Sequence, residues 1–350
     1  MTNTAIVKDA RYLKHETGTF HPESPKRLEV IYEMLKAADM DGRFPLIEPR
    51  FASIDEIALV HSRAYIDIVA MTEGKNCTYL DPDTQASAET YEIARLAVGG
   101  LMEAVDAVAE KRYSNAFAFI RPPGHHAEHD RAAGFCIFNN VAIAALHAVK
   151  KYGYQRILVV DWDLHHGNGT QNTFYEDPRV LYFSTHQFPF YPGSGSINEI
   201  GRGKGLGFTV NVPLRTGPGD AEYLRIFRRL LRPLAHAYRP DLVLISTGFD
   251  IYHKDPLGGM NVTPTGFALL CRELMDIADE CCDGRLVATL EGGYDLVGLR
   301  KSARAVLKEM ADETRHSEEE RALVEAGSDD SINTVIKAVQ DQIDPLWNIF

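Results

Sequence analysis

The chain has 350 residues, 45% of them hydrophobic and 25% charged, with a formal net charge of −12 at pH 7. That length suits one large α/β domain or two small ones around a sizeable core, and the acidity argues against nucleic acid as a partner, whose backbone is met by a basic patch. No apolar run of about 18 residues and no basic-then-apolar opening stretch occurs, so no membrane partner and no export are expected; the odd set of five cysteines, without paired metal spacing, suits free thiols in a reducing cytoplasm.

The pattern that follows is strand alternating with helix. A short apolar run, 116–120, leads into Arg121-Pro122-Pro123-Gly124-His125-His126. A helix is predicted over 140–151, then a strand over 156–160 that ends in Asp161, Asp163, His165, His166 and Asn168. A strand over 180–184 runs into Thr185-His186, and helical periodicity covers 221–238. Strand 241–246 ends in Gly248-Phe249-Asp250, a long helix runs from near Pro264 to Asp283-Gly284, and strand 286–290 ends in Glu291-Gly292-Gly293-Tyr294 before a helix over 297–310. Such alternation implies βαβ units and a mainly parallel sheet. In those sheets ligands bind beyond the carboxyl ends of the strands, and here five successive strands end in polar, titratable residues. That coincidence points to one composite site.

Asp163 and His165 are two apart, so on an extended segment their side chains point the same way. Imidazole with carboxylate suits zinc or iron(II), and a third ligand is needed for a catalytic site with an open position. Asp250 is the best third ligand, because it too follows a buried strand. The competing reading is that Asp163 and His165 cap the next helix. Adjacent His125 and His126 after a rigid Pro-Pro-Gly turn suit a proton relay, or else belong to an exposed loop. Tyr294, behind two glycines, is either a donor to a developing oxyanion or a packing residue. The glycine-rich runs 193–195 and 201–205 resemble a phosphate cradle only loosely and do not open a helix after a strand, which argues against phosphate or dinucleotide binding.

Taken together, RPPGHHAEHDRAAGFCIFNN, VDWDLHHGNGTQ, FYPGSG, STGFD…DPLGGMNVT and LEGGYDL resemble the zinc-dependent histone deacetylase family, which includes bacterial amidohydrolases and acetylpolyamine deacetylases. The likeness runs from about residue 18 to about residue 310. It implies the arginase–deacetylase α/β fold: a single domain over 1–350 around a mainly parallel eight-stranded sheet with helices on both faces, and a helical C-terminal extension over about 311–350. It also implies that Asp163, His165 and Asp250 hold one zinc ion, with iron(II) as the substitute. His125 and His126 become the tandem histidines, with Asp161 and Asn168 behind them, and Tyr294 the carbonyl-polarising phenol. Gly134, Phe135 and Tyr191 would form a narrow channel with Leu257 and Asp83 at its rim, and Arg27 would line an internal channel below the metal.

The resemblance further implies structural K⁺ or Na⁺ at two sites. One would use Asp161, Ser184 and the backbone of Asp163, His165 and Thr185; the other Phe174, Asp177, Val180 and Phe208. Asn at 168 resembles class II relatives, and Tyr at 294, where a weakly active vertebrate subclass has His, implies a competent deacetylase. The expected reaction is deacylation of an acylated amine, acyl-lysine favoured, with acetylpolyamine as the alternative substrate. The competing functions are a binuclear arginase-like hydrolase and a non-catalytic acyl-lysine binding module. Self-association into a homo-oligomer is compatible with all of these.

Overall fold

A computed structural model describes residues 3–350. Its strands are β1 (Thr4–Val7), β2 (Thr78–Asp81), β3 (Thr84–Ala86), β4 (Asn115–Ala118), β5 (Ile157–Asp161), β6 (Val180–Gln187), β7 (Thr209–Leu214), β8 (Leu242–Thr247) and β9 (Leu286–Leu290). Seven of them form one sheet in the order β1-β4-β9-β8-β5-β6-β7, every neighbouring pair parallel. The central strands are buried along their whole length, as their continuous Val/Ile/Leu runs require of a sheet covered on both faces.

The helices form where the local chemistry starts and stops them. Asn139 caps helix Asn140–Tyr152 by accepting the Ala142 N–H at 3.0 Å, and Gly153 ends it at φ 71°. Thr263 and Pro264 open helix Pro264–Cys282, and Asp283 closes it at φ 52°. Helix Thr90–Ala109 packs against Asn140–Tyr152, and Pro264–Cys282 packs against Leu296–Met310. The first pair belongs to connections running one way along the sheet (β1 to β4, β4 to β5), whereas Pro264–Cys282 connects β8 to β9 in the opposite direction. Right-handed crossovers therefore put the two helix pairs on opposite faces.

That reversal positions the site. The chain leaves β5 toward β6 and leaves β8 toward β9, so the two neighbours diverge and a crevice opens between their carboxyl ends. Asp163 and His165 follow β5, and Asp250 follows β8.

The expected count of eight sheet strands is corrected to seven. Where an eighth would flank β1, segment 45–47 makes a single parallel bridge: the Ile6 N–H donates to Pro45 O and the Ile47 N–H to Ile6 O, both at 2.9 Å. Pro45 and Pro49 lack the N–H groups that a longer ladder needs. β2 and β3 pair only with each other, antiparallel. The two sheet strands that periodicity does not reveal, β1 and β7, lie at the edges; β7 carries Pro213, which an edge tolerates. The helix expected over 221–238 contains a π turn at Phe227–Leu231. All five cysteines are free, and among the described residues no helix is long and apolar enough to cross a membrane.

Beyond residue 310 two helices, Glu318–Ala326 and Ser331–Trp347, pack back onto the sheet layers. The second buries Ile332, Ile336, Val339 and Ile343 at helical spacing and lies against β7; the Trp347 indole donates to Gly207 O at 2.8 Å. The first is tied by Arg321 to the buried Glu273 at 3.0 Å. If this extension folds with the rest, Ile343→Ala should cost about 2–4 kcal/mol of the main urea-unfolding transition. A change below about 0.5 kcal/mol would place Ser331–Trp347 outside the cooperative unit.

Candidate active site

The carboxyl ends of β5 and β8 bring Asp163, His165 and Asp250 together, with one potential ligand atom from each within 4.8 Å of the others. His165 Nδ1 lies 3.2 Å from Asp163 Oδ1 and 3.1 Å from Asp250 Oδ2. Each carboxylate is aimed by backbone: Asp163 Oδ2 accepts the Gly292 N–H at 2.8 Å and Asp250 Oδ1 the Leu164 N–H at 2.9 Å. Gly292 must be glycine, because a Cβ there would stand 2.3 Å from Asp250 Oδ2. Both carboxylates are fully buried.

Two buried carboxylates sharing a space call for a cation. Burial and the Asp163 charge push the Asp250 carboxyl up to about 7, against the pull of His165. Burial opposes charge on His165, but its hydrogen bonds to Asp163 and Asp250 outweigh it and raise the imidazole to about 9. Two carboxylate oxygens and an imidazole nitrogen converging on a point that draws positive charge fit a divalent ion such as zinc.

The tandem histidines follow β4 and sit beside this triad. Their rings are 4.0 Å apart, and His125 Nε2 is 3.8 Å from Asp163 Oδ1. His125 Nδ1 meets Asp161 Oδ2 at 3.0 Å, and His126 Nδ1 meets Asn168 Oδ1 at 2.8 Å. The consequences differ. Burial works against charge on His125, but Asp161 and Asp163 overcome it and hold the imidazole up to about 10. Burial, with positive charge on His125 and His165, holds His126 well below the usual histidine value. One imidazole is built to stay charged and the other to stay neutral.

Tyr294 follows β9. Burial pushes its phenol well above the usual value, so it remains a hydroxyl donor. Its turn is held from two sides. Asp255 accepts the Tyr294 N–H at 2.7 Å and the Asp295 N–H at 3.1 Å; Arg27 donates to Gly293 O at 2.8 Å, with its guanidinium 5.1 Å from the centre of the Tyr294 ring. Arg27 is fully buried and also pairs with Glu23 at 3.2 Å.

Phe135 adopts φ 69° and Gly134 φ 56°, a left-handed pair that brings the turn against His126; a Cβ on Gly134 would lie 2.3 Å from His126 Cδ2. The Phe135 ring stands edge-on to Tyr294 at 5.9 Å, and Tyr191 edge-on to His126 at 5.1 Å. Phe190, the first residue of FYPGSG and given no role by the sequence, stacks on His165 at 5.7 Å. Asp83 sits in the turn between β2 and β3, and its Oδ1 accepts the Gly134 N–H at 3.1 Å and the Thr84 hydroxyl at 2.9 Å. It therefore anchors the Phe135 turn and leaves one oxygen free of these bonds. Leu257 is half-buried in the loop after Asp250, its N–H held by Asp255 at 3.0 Å.

The residues expected to hold monovalent ions are also placed. Asp161 and Ser184 are register partners across β5 and β6, and the Thr185 hydroxyl is buried without a hydrogen-bond partner. At the second position the Phe174, Asp177 and Phe208 carbonyls accept the N–H groups of Asp177, Val180 and Tyr182 at 3.0, 3.4 and 2.9 Å, while the Asp177 carboxylate is taken by Arg179.

Glu291 and Asp255 lie inside LEGGYDL and DPLGGMNVT, but their role as supports is not assigned by the sequence. Glu291 Oε2 accepts the Gly124 N–H at 2.7 Å and the His125 N–H at 3.2 Å, fixing the histidine loop. Burial raises its carboxyl to about 7 despite His125. The signal for Glu291 was its place as a charged residue at a buried strand end. His125, Cys136 and Glu291 form a second cluster of ligand-type residues, but its groups are engaged: His125 with Asp161, Glu291 with backbone, and the Cys136 thiol with Gly134 O. This favours one metal over two.

Divalent binding must displace protons from this triad. Affinity for zinc should fall as pH drops from about 9 toward 7, where His165 takes up its proton, and more steeply below about 7, where Asp250 does. Competition titrations with a chelator check this, and Asp250→Ala should lose the ion. Equal affinity at pH 6 and pH 9, or unchanged metal content in the variant, would remove the triad as the ligand set.

A family profile described as the histone deacetylase domain matches residues 21–310. A probable deacetylase from Archaeoglobus fulgidus is 43% identical over 297 residues, 84% of this chain and 82% of that protein. Histone deacetylase 5 of Arabidopsis thaliana is 38% identical over 98% of this chain, and histone deacetylase HDA1 of Candida albicans 41% identical over 89%. This chain spans 53% and 41% of those two longer proteins. The crystal structure of the HDA15 HD domain superposes with a TM-score of 0.92 at 36% identity, covering 99% of this chain and 97% of that one.

Proposed function

This chain belongs to the histone deacetylase family, and from that premise we propose that it is a metal-dependent amide hydrolase removing acetyl or related acyl groups from acylated amines. The observation that carries the reading is the convergence of a two-carboxylate, one-imidazole cradle, a neutral and a charged imidazole, and a phenol at the ends of four adjacent strands, β4, β9, β8 and β5. Asp163, His165 and Asp250 would hold one zinc ion, or iron(II). When bound, that ion supplies Lewis acidity to the acyl carbonyl and lowers the pKa of water.

The chain's own groups do the rest. His126, neutral, with Nδ1 bonded to Asn168, presents Nε2 as the base that accepts the proton of the attacking water. His125, held charged by Asp161, stabilises negative charge beside it, and one of the two imidazoles returns a proton to the leaving amine. The Tyr294 hydroxyl donates to the carbonyl oxygen as it becomes an oxyanion. Phe135 and Tyr191 flank an alkyl arm and exclude water; Arg27 supports the floor and lines a passage beneath it. K⁺ or Na⁺ would bind at Asp161, Asp163, His165, Ser184 and Thr185, and at Phe174, Asp177, Val180 and Phe208.

Tyr294→Phe should lower turnover by about 100-fold or more with metal content intact, since a single oxyanion donor is worth about that much. Unchanged turnover would reduce Tyr294 to packing. Wild-type protein that binds acyl-lysine peptides but turns none over would favour the binding-module reading.

For the substrate we favour acyl-lysine in peptides or small molecules over acetylpolyamine. The apolar Leu257 offers no carboxylate for a second ammonium, and Asp83 is already part-committed to the Gly134 N–H. An acetyl-lysine peptide should therefore match or exceed an acetylated spermidine in kcat/KM. A preference of about 100-fold for the polyamine, about 2.7 kcal/mol in transition-state binding, would reverse the ranking.

A further inference from the structure

A neutral amide behind a catalytic imidazole raises a problem that a carboxylate does not. Asp161 presents an acceptor oxygen to His125 in either rotation of its side chain. Asn168 presents an acceptor to His126 in one orientation and an NH₂ group in the other, which would force the proton onto the wrong ring nitrogen. The proposed base needs the first.

We infer that Glu128 is a positioning residue that fixes the Asn168 amide and, through it, the tautomer of His126. Asn168 Nδ2 donates to Glu128 Oε1 at 2.7 Å and faces His126 O at 3.4 Å, while Asn168 Oδ1 accepts from His126 Nδ1 at 2.8 Å. Flipping the amide would set its oxygen against a carboxylate and a carbonyl at once. A carboxylate only accepts, so Glu128 settles the orientation in a way that a hydroxyl or a water would not. Its backbone is held in turn: the Glu128 N–H donates to Arg131 O at 3.0 Å, and Glu128 O faces His61 Nδ1 at 2.8 Å. Arg131, itself largely exposed, pairs with Glu128 Oε1 at 2.8 Å. Among the described residues the hydrogen bonds of Glu128 run to Asn168, Arg131 and His61 and to none of the triad, so it acts through Asn168.

This inference rests on the deacetylase reading, with His126 as base, and a double-mutant cycle tests it on zinc-loaded protein. With Asn168 present, Glu128→Ala should lower kcat on an acetyl-lysine peptide by about 10-fold or more, the usual effect of losing an outer support of this kind. In an Asn168→Asp background, where orientation no longer matters and Glu128 faces another carboxylate, the same change should alter kcat less than about twofold, or raise it. Glu128→Gln, which keeps an acceptor oxygen, should show the same dependence on residue 168 with a smaller loss, and covers the case in which the alanine variant does not fold. ¹⁵N-histidine spectra give a second readout: His126 should carry its proton on Nδ1 in wild type and become a tautomer mixture in Glu128→Ala. Equal losses in both backgrounds, or a single tautomer retained in Glu128→Ala, would overturn the assignment. Wild-type protein without deacylase turnover would overturn the functional reading instead, and leave the spectra to judge Glu128.

Discussion

Burying Asp163 and Asp250 side by side is the constraint on which the rest of the structure depends. Two anions in a dry crevice repel, and in a low-dielectric setting the cost is several kcal/mol unless a positive charge sits between them. The sheet forces the encounter, because β5 and β8 are neighbours whose chains depart in opposite directions. His165 is the imidazole that faces both. Backbone N–H groups aim both carboxylates: Asp163 Oδ2 accepts from Gly292 and its Oδ1 from His165, while Asp250 Oδ1 accepts from Leu164 and its Oδ2 faces His165. The Gly292 bond has a second effect. It ties the end of β9, and hence the turn carrying Tyr294, to a ligand of the proposed ion.

Around that centre, two chemically similar imidazoles acquire opposite characters: Asp161 and Asp163 hold His125 charged, while burial and the positive charge on His125 and His165 hold His126 neutral. Asp161 and Asn168 have the same shape and reach, and both meet a histidine Nδ1 at about the same distance. The carboxylate stabilises an imidazolium and the amide does not. In the proposed reaction, a pair that takes one proton and offers another gains from having its members poised apart rather than alike. The arrangement also explains why supports gather there: Glu291 beneath the His125 backbone, Glu128 behind Asn168.

How much of this could be read from the chain depended on whether a residue's role followed from where strands end. The five strands predicted from apolar runs are present within a few residues, and the triad, both histidines, Asp161, Asn168 and Tyr294 fall at their carboxyl ends. Parallel strands buried on both faces announce themselves by hydrophobicity alone, so the polar residue that breaks the run is conspicuous. Edge strands carry no such mark. β1 is four residues long and β7 includes Pro213, and the eighth strand implied by the family pattern is reduced by Pro45 and Pro49 to one bridge. Supports such as Asp255 and Glu128 were illegible for another reason: their partners, Tyr294 and Asn168, are 39 and 40 residues away, and nothing local in the sequence pairs them.

The same separation divides chemistry from selectivity. Groups at the strand ends are fixed by the core and by one another, whereas the rim is assembled from pieces that meet only there: the β2–β3 turn, the Gly134–Phe135 turn, the Phe190–Tyr191 segment and the loop holding Leu257. These pieces are not independent of the interior. Asp83 holds the Gly134 N–H, Thr84 Oγ1 accepts the Phe135 N–H at 3.0 Å, and Phe135 in turn stands against Tyr294. Asp255 likewise joins Leu257 to the Tyr294 backbone through a single carboxylate. In the proposed reaction, a substrate group that engaged Asp83 or displaced Leu257 would act on the position of the Tyr294 phenol as well as on binding. Hydrogen bonds through Asp255 and the Phe135–Tyr294 ring contact thus link the rim to Tyr294, and in the proposed reaction this linkage would make substrate choice act on turnover as well as on affinity.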